Sequence, residues 1–230
     1  MSHAHHWETV YRNKAVDQVS WFQPHAETSL RLIETLLADA GPSQGGECAP
    51  SGGSEQRERG GRFLNRAARI IDVGAGASVL VDDLLDAGYQ HLTVLDIAAS
   101  ALAVSRARLG ERAAQVDWRV GDVTTVALPE AGFDIWHDRA VFHFLTDAAD
   151  RRRYVDQVLR AVRPGGHVIV ATFGLEGPLQ CSNLDVCRYA PDGLHGEFGG
   201  AFELLGHHAE MHHTPAGRDQ AFVYCYCRRG

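Results

Sequence analysis

The stretch RIIDVGAGAS, residues 69–78, carries residue types that could do chemistry. Asp72 is an acid at the end of an apolar run. Gly74 and Gly76 alternate with small residues, and Ser78 begins a new pattern. A strand that runs into a glycine turn and then a helix offers backbone N–H groups to an anion or a nucleotide. A dinucleotide, a phosphate and S-adenosylmethionine all suit such a loop. A second acid, Asp96, follows roughly 20 residues on, where a ribose-binding carboxylate belongs. The histidines are numerous but badly spaced for a metal. HHAEMHH (207–213) is not H-E-x-x-H, and on a strand its residues alternate between faces. Cys181 and Cys187 share a polar loop with a weak Cys-x5-Cys spacing, whose sharpest reading is a soft metalloid such as trivalent arsenic and whose plain reading is two loop cysteines. No resident metal is predicted.

These residues need a frame. ARIIDV reads as a first strand and 78–86 as a helix that stops at Gly88. HLTVLDI, VDWRVGDV, FDIWHD and HVIVATF read as further strands, with helices over SALAVSRARLG and DAADRRRYVDQVLRAV between them. Alternation of this kind means a parallel sheet covered on both faces. Residues 174–193 read as a long polar loop. GAFELLGHHAEMHH and QAFVYCYCRR then read as two strands turned by TPAG (214–217), without a long helix between them. Cys225 and Cys227 share one face of the last strand and are expected in the core. The predicted fold is α/β: a doubly wound, Rossmann-like, seven-stranded, mostly parallel sheet with a C-terminal antiparallel hairpin and an N-terminal helical cap. One domain is expected over 1–230. It divides into a helical cap at 1–40, a flexible Gly/Ser/Pro-rich insertion at 41–61 and the ligand-binding core at 62–230.

The chain has 230 residues and a formal net charge of −7, which does not suggest a nucleic-acid surface. No apolar run approaches the roughly 20 residues that span a bilayer. The opening MSHAHHWETVYRNK lacks a signal-peptide core, and five scattered cysteines suit reduced thiols, so a cytoplasmic protein is expected. Oligomeric state is not legible.

The ordered motifs resemble the class I S-adenosylmethionine-dependent methyltransferases over roughly residues 66–228. Asp72-Val-Gly74-Ala75-Gly76-Ala-Ser78 matches the family's acidic-GxGxG motif with a serine for the third glycine. Asp96 ends strand two, GDV (121–123) matches the acidic turn after strand three, and LRAVRPGGHVIV (159–170) is very close to the turn before strand five. The resemblance implies S-adenosylmethionine as cofactor. It implies that Asp72 lies near the ammonium or sulfonium end and that Asp96 accepts from the ribose hydroxyls. Ile97 would face adenine, with Asp122 and the Val123 backbone reading its edge. The segment after strand four, WHDRAVFHFL (136–145), would face the methyl group and is not the D/N-P-P-Y/F motif for nucleic-acid bases. There His143 is the candidate base, its ordinary pKa suiting proton removal. Asp138 and Arg139 either orient a substrate or pair with each other, and His137 would contact cofactor through its backbone. Tyr11 and Trp21, in a W…Y…SWF opening shared by similar families, would cap the site with aromatic faces.

The expected activity is therefore methyl transfer to a small molecule, with a thiol, sulfide or other soft nucleophile as one sub-class. A protein-lysine methyltransferase is the nearest alternative. A dehydrogenase is a rival from another class, although Val79 stands where the dinucleotide motif G-x-G-x-x-G/A wants glycine or alanine. A non-catalytic S-adenosylmethionine-binding module is the third. No nucleic-acid or membrane partner is expected.

Overall fold

The computed structural model describes residues 3–39 and 64–230, so the predicted insertion at 41–61 and its Cys48 lie outside the described residues. Two helices come first, α1 (His3–Asn13) and α2 (Glu27–Asp39). The alternating core follows as β1 (Arg69–Val73), α3 (Leu80–Asp86), β2 (His91–Asp96), α4 (Ala99–Leu109), β3 (Val116–Val120), β4 (Phe133–Arg139), α5 (Ala148–Ala161) and β5 (Val162–Phe173). A small hairpin, β6 (Gln180–Cys181) and β7 (Leu184–Asp185), leads to α6 (Pro191–Phe198), and the chain ends in β8 (Phe202–His213) and β9 (Asp219–Arg229). The seven-stranded sheet runs β3-β2-β1-β4-β5-β9-β8. β1 to β5 pair in parallel, and β9 is antiparallel to both β5 and β8. Doubly wound order and closing hairpin are as the sequence predicts. Among the described residues no helix is long and apolar enough to cross a membrane.

Strand periodicity divides the core in two. Ile70, Val94, Ile135 and Ile169 face one side, where they pack with Ile33 and Leu36 of α2 in the cap and with Leu80 and Leu84 of α3. Their neighbours Ile71, Leu95, Trp136 and Val168 face the other side, against Tyr154 and Val158 of α5 and Leu194 and Phe198 of α6. A period of two places successive residues on opposite faces, so each strand feeds both layers.

Two readings need correction. The polar loop at 174–193 contains structure. Ser182 and Asn183 take positive φ (47° and 62°) and turn the β6–β7 hairpin. α6 begins with Pro191 at its first turn. It is short, holds two glycines and buries only Leu194 and Phe198, so its helical signal is tertiary burial rather than propensity. The Arg163-Pro164-Gly165-Gly166 run is not a turn ahead of β5. It lies inside that strand, with Gly165 at φ 72° and a register shift opposite Phe133 and Ile135.

Candidate functional site

β1 has β2 on one side and β4 on the other, so the crossover direction reverses at β1. Ligand crevices of open α/β sheets lie at the carboxyl ends of the strands at such a point. Here that edge carries a cleft of about 1070 Å³, its open mouth included. Gly74, Asp96, Ile97, Asp122, Val123 and Arg139 line it from the ends of four strands. Gly74 has φ +61° and Gly76 φ +55°, conformations that favour glycine. Each is also a close approach: a Cβ on Gly74 would overlap Val141, and one on Gly76 would overlap the Tyr11 hydroxyl.

Two carboxylates face the cleft in different states. Asp96 is buried, and its oxygens accept the Gly76 and Ala98 backbone N–H groups at 2.7 Å each. Burial pushes its pKa up to about 6 against the pull of those two amides. Each oxygen keeps further acceptor capacity. Asp122 uses Oδ1 to accept from the backbone and hydroxyl of Thr124, at 2.8 and 2.7 Å. Its Oδ2 takes no hydrogen bond from a described residue.

The cap supplies the opposite wall. Trp7, Tyr11 and Trp21 line the cleft together with Phe144. Trp7 is edge-on to Trp21 at 5.6 Å and to Phe144 at 5.1 Å between ring centroids. The tyrosine hydroxyl sits over the glycine loop, where burial and then Asp96 raise its pKa above the ordinary range. Phe22 lines a neighbouring cavity of about 570 Å³ that shares Trp21, Gly74 and Arg139 with the cleft. Asp72, Ala75 and His137 line that second cavity.

Several predicted roles change. His143 lines neither cavity; it is fully buried between the Phe144 and Phe173 rings at 4.5 and 4.6 Å. Its Nδ1 accepts the Phe173 N–H at 3.3 Å, and burial followed by Arg139 lowers its pKa to about 3. A neutral imidazole held away from the cleft is not placed to take a proton from an acceptor there. His143→Asn, which keeps an acceptor for that amide, is expected to change turnover by no more than about threefold. Loss of more than about a hundredfold at unchanged cofactor affinity would restore the base assignment.

Asp138 is also fully buried and does not pair with Arg139. It accepts the Val141 and Phe142 N–H groups at 2.9 and 3.1 Å and the Tyr154 hydroxyl at 2.6 Å. This carboxylate holds the turn that ends β4, in which Ala140 has φ 74°. Asp138 is thus a positioning residue. His137 acts through its ring rather than its backbone alone: Nδ1 bonds Asp72 at 2.7 Å and Nε2 bonds Ser29 at 2.8 Å. Asp72 therefore meets a histidine as its first partner. Ser29 on α2 escaped the sequence reading, because nothing in ETSLRLIE marks which face meets β4.

The cysteine pair does not converge. Cys181 belongs to one core layer and lines the cleft, while Cys187 packs against the other layer. Among the described residues no group of three or more His, Cys, Asp or Glu is placed to hold a metal ion. In β8, His212 is buried and bonds the Ser20 carbonyl at 2.8 Å, a structural contact to the cap.

Residues 71–170 match the family model of the methyltransferase domain. Over these residues the chain is a methyltransferase domain of the class I S-adenosylmethionine-dependent kind. Nodulation protein S of Rhizobium tropici is 32% identical over 102 residues, 44% of this chain and 42% of that protein. A ubiquinone/menaquinone biosynthesis C-methyltransferase of Methylobacterium nodulans is 31% identical over 111 residues, 47% of this chain and 43% of that one. The matched part of the chain thus spans less than half the length of these curated relatives. In fold, the N-methyltransferase NodS of Bradyrhizobium japonicum, solved with S-adenosyl-L-homocysteine, superposes with a TM-score of 0.65 at 14% identity, covering 97% of this chain and 98% of that one.

The methyltransferase cleft suits S-adenosylmethionine on its own chemistry. Asp96 has acceptor capacity for two ribose hydroxyls. Asp122 keeps one oxygen for an amine donor beside the apolar Ile97 and Val123. Gly74 has no side chain to fill the loop, and the aromatic wall offers π faces to a positive sulfonium.

Proposed function

We propose that this methyltransferase chain transfers a methyl group from S-adenosylmethionine to a small-molecule acceptor. The observation that carries the reading is the pairing, in one cleft, of the Asp96 and Asp122 carboxylates with the Trp7–Trp21–Phe144 wall. Bound there, S-adenosylmethionine supplies a methyl group already activated as an electrophile by its sulfonium. Asp96 and Asp122 hold the nucleoside, and the rings of the cap close the cleft against water. Alignment and desolvation are the protein's main contributions to such a displacement. The acceptor sub-class proposed is a thiol, sulfide or other soft nucleophile. The cleft edge lacks the nucleic-acid amine motif and carries the Cys181 thiol among apolar rings.

Calorimetric titration with S-adenosylmethionine, S-adenosylhomocysteine and NAD(H) tests the cofactor. Micromolar binding of the first two and none of the third is expected; binding of NAD(H) alone would overturn the proposal in favour of a dehydrogenase. The titration should also depend on pH. Asp96 has its pKa raised to about 6, chiefly by burial, so it gains a proton as pH falls through that value. Ribose hydroxyls donate to the ionised form, so nucleoside binding expels the proton. Affinity should be level above that point and fall by up to about tenfold for each pH unit below it. A profile flat down to the ordinary carboxylate range would remove Asp96 from the ribose.

A further inference from the structure

With His143 buried away from the cleft, the base expected from the sequence is out of reach of an acceptor, and Arg139 bears on what that acceptor can be. This guanidinium lines both cavities, and its side chain is only 10% exposed. Nε donates to the Tyr224 hydroxyl at 3.1 Å and Nη1 to the Trp21 carbonyl at 3.3 Å. Nη2 reaches Glu210 only at 3.5 Å, which is long for a charge-assisted bond. The guanidinium lies over the Phe222 ring at 4.3 Å. Of its five N–H donors, those contacts engage one on each nitrogen, so two are left without a described partner.

Apart from His3, the other titratable groups of the cleft are poorly suited to removing a proton from an acceptor. Asp96 and Asp122 are committed to the nucleoside side by their turns. Asp150, on α5, pairs with Arg153. Burial pushes the Cys181 thiol up to about 11 and raises Tyr11 above its ordinary value. His3 stands exposed in the first turn of α1. A protonated amine entering here would need a base and would meet a guanidinium. An anion needs no base and finds two unused donors.

We propose that Arg139 binds the acceptor and that the acceptor is a small aromatic thiolate. This rests on the methyl-transfer reading above. The thiol loses its proton to solvent as it binds, because the guanidinium favours the ionised form. The sulfur lone pair then forms the S–CH3 bond. The bond from the methyl carbon to the sulfonium breaks, and its electron pair returns to the sulfonium sulfur. One negative and one positive charge disappear together, leaving two neutral thioethers. Trp7, Trp21 and Phe144 supply the flat apolar walls for the acceptor ring.

The test uses the full chain. S-adenosylhomocysteine affinity is measured first by calorimetry. Methyl transfer from S-adenosylmethionine is then followed with 4-nitrothiophenol, whose thiolate colour is lost on methylation, and with benzylamine and benzoate. The thiol is expected to be methylated, and the amine and the carboxylate are not. Arg139→Gln should raise the KM for the thiol by about tenfold or more while S-adenosylhomocysteine affinity stays within about twofold, and Arg139→Lys should recover part of the loss. If the glutamine variant does not fold, the lysine variant carries the same comparison. Methylation of benzylamine or benzoate in preference to the thiol overturns the proposal, as does cofactor binding without thiol turnover. An equal loss of S-adenosylhomocysteine affinity overturns it too, by placing Arg139 on the cofactor. Failure of the unmutated protein to bind S-adenosylhomocysteine would instead defeat the methyl-transfer reading itself.

Discussion

Asp96→Ala is expected to weaken S-adenosylmethionine binding by about 100- to 10,000-fold. A hydrogen bond to a charged group contributes about 1.5–3 kcal/mol, and two ribose hydroxyls would donate to this carboxylate. The same side chain also receives the Gly76 and Ala98 amides, so alanine leaves two buried donors unpaired and loosens the glycine turn. Both effects point the same way. Asp96→Asn separates them, because an amide oxygen still accepts from one backbone N–H while the charge is gone. The measurement is calorimetric titration, with circular dichroism to confirm the fold. An alanine variant that keeps wild-type affinity would remove the ribose assignment.

Asp138→Ala is the second large effect, and it falls on stability. The carboxylate is fully buried and accepts from Val141, Phe142 and Tyr154. The tyrosine in turn accepts from Trp136 Nε1 at 2.9 Å, so one carboxylate ends a chain of buried donors. Removing it orphans that chain and releases a turn whose Ala140 is held at φ 74°. A loss of about 3 kcal/mol is expected, offset in part because a buried charge is removed as well. In a chain of this size that lowers the unfolding midpoint by roughly 6–12 °C. Burial raises the folded pKa of Asp138 to about 6, above its ordinary carboxylate value, so the folded state favours the protonated form. The stability linked to that proton is fully present below the ordinary carboxylate pKa and is lost as pH rises through about 6, a slope that Asp138→Asn should lack. Thermal unfolding followed across pH checks both statements. A stable alanine variant that has lost only turnover would return Asp138 to the catalytic group.

Much of this is legible in the residues. Asp96 and Ile97 at the end of strand two, and Asp122 and Val123 in the turn after strand three, are the positions that the family resemblance implies, and all four line one cleft. Strand ends are legible because an apolar run stops abruptly at an acid or glycine. His143 and Asp138 are misplaced by sequence reasoning because WHDRAVFHFL runs from strand into a tight turn, where period no longer says which way a side chain points. The Asp138 side chain turns back to bond its own turn, and the His143 ring packs under Phe173. Of the three candidates Asp138, Arg139 and His143, Arg139 is the one that lines the cleft.

By itself the sequence determined the doubly wound sheet, its closing hairpin and the glycine turn that opens the site. Those depend on local periodicity and on backbone conformations that few residues can adopt. The tertiary structure alone decided which side chains converge. It laid the Tyr11 hydroxyl over Gly76, set Ser29 and Asp72 on either side of His137, and put Cys181 and Cys187 on opposite faces of the sheet. Such partners are far apart in the chain, and only the packing of cap, sheet and helices gives them a common address.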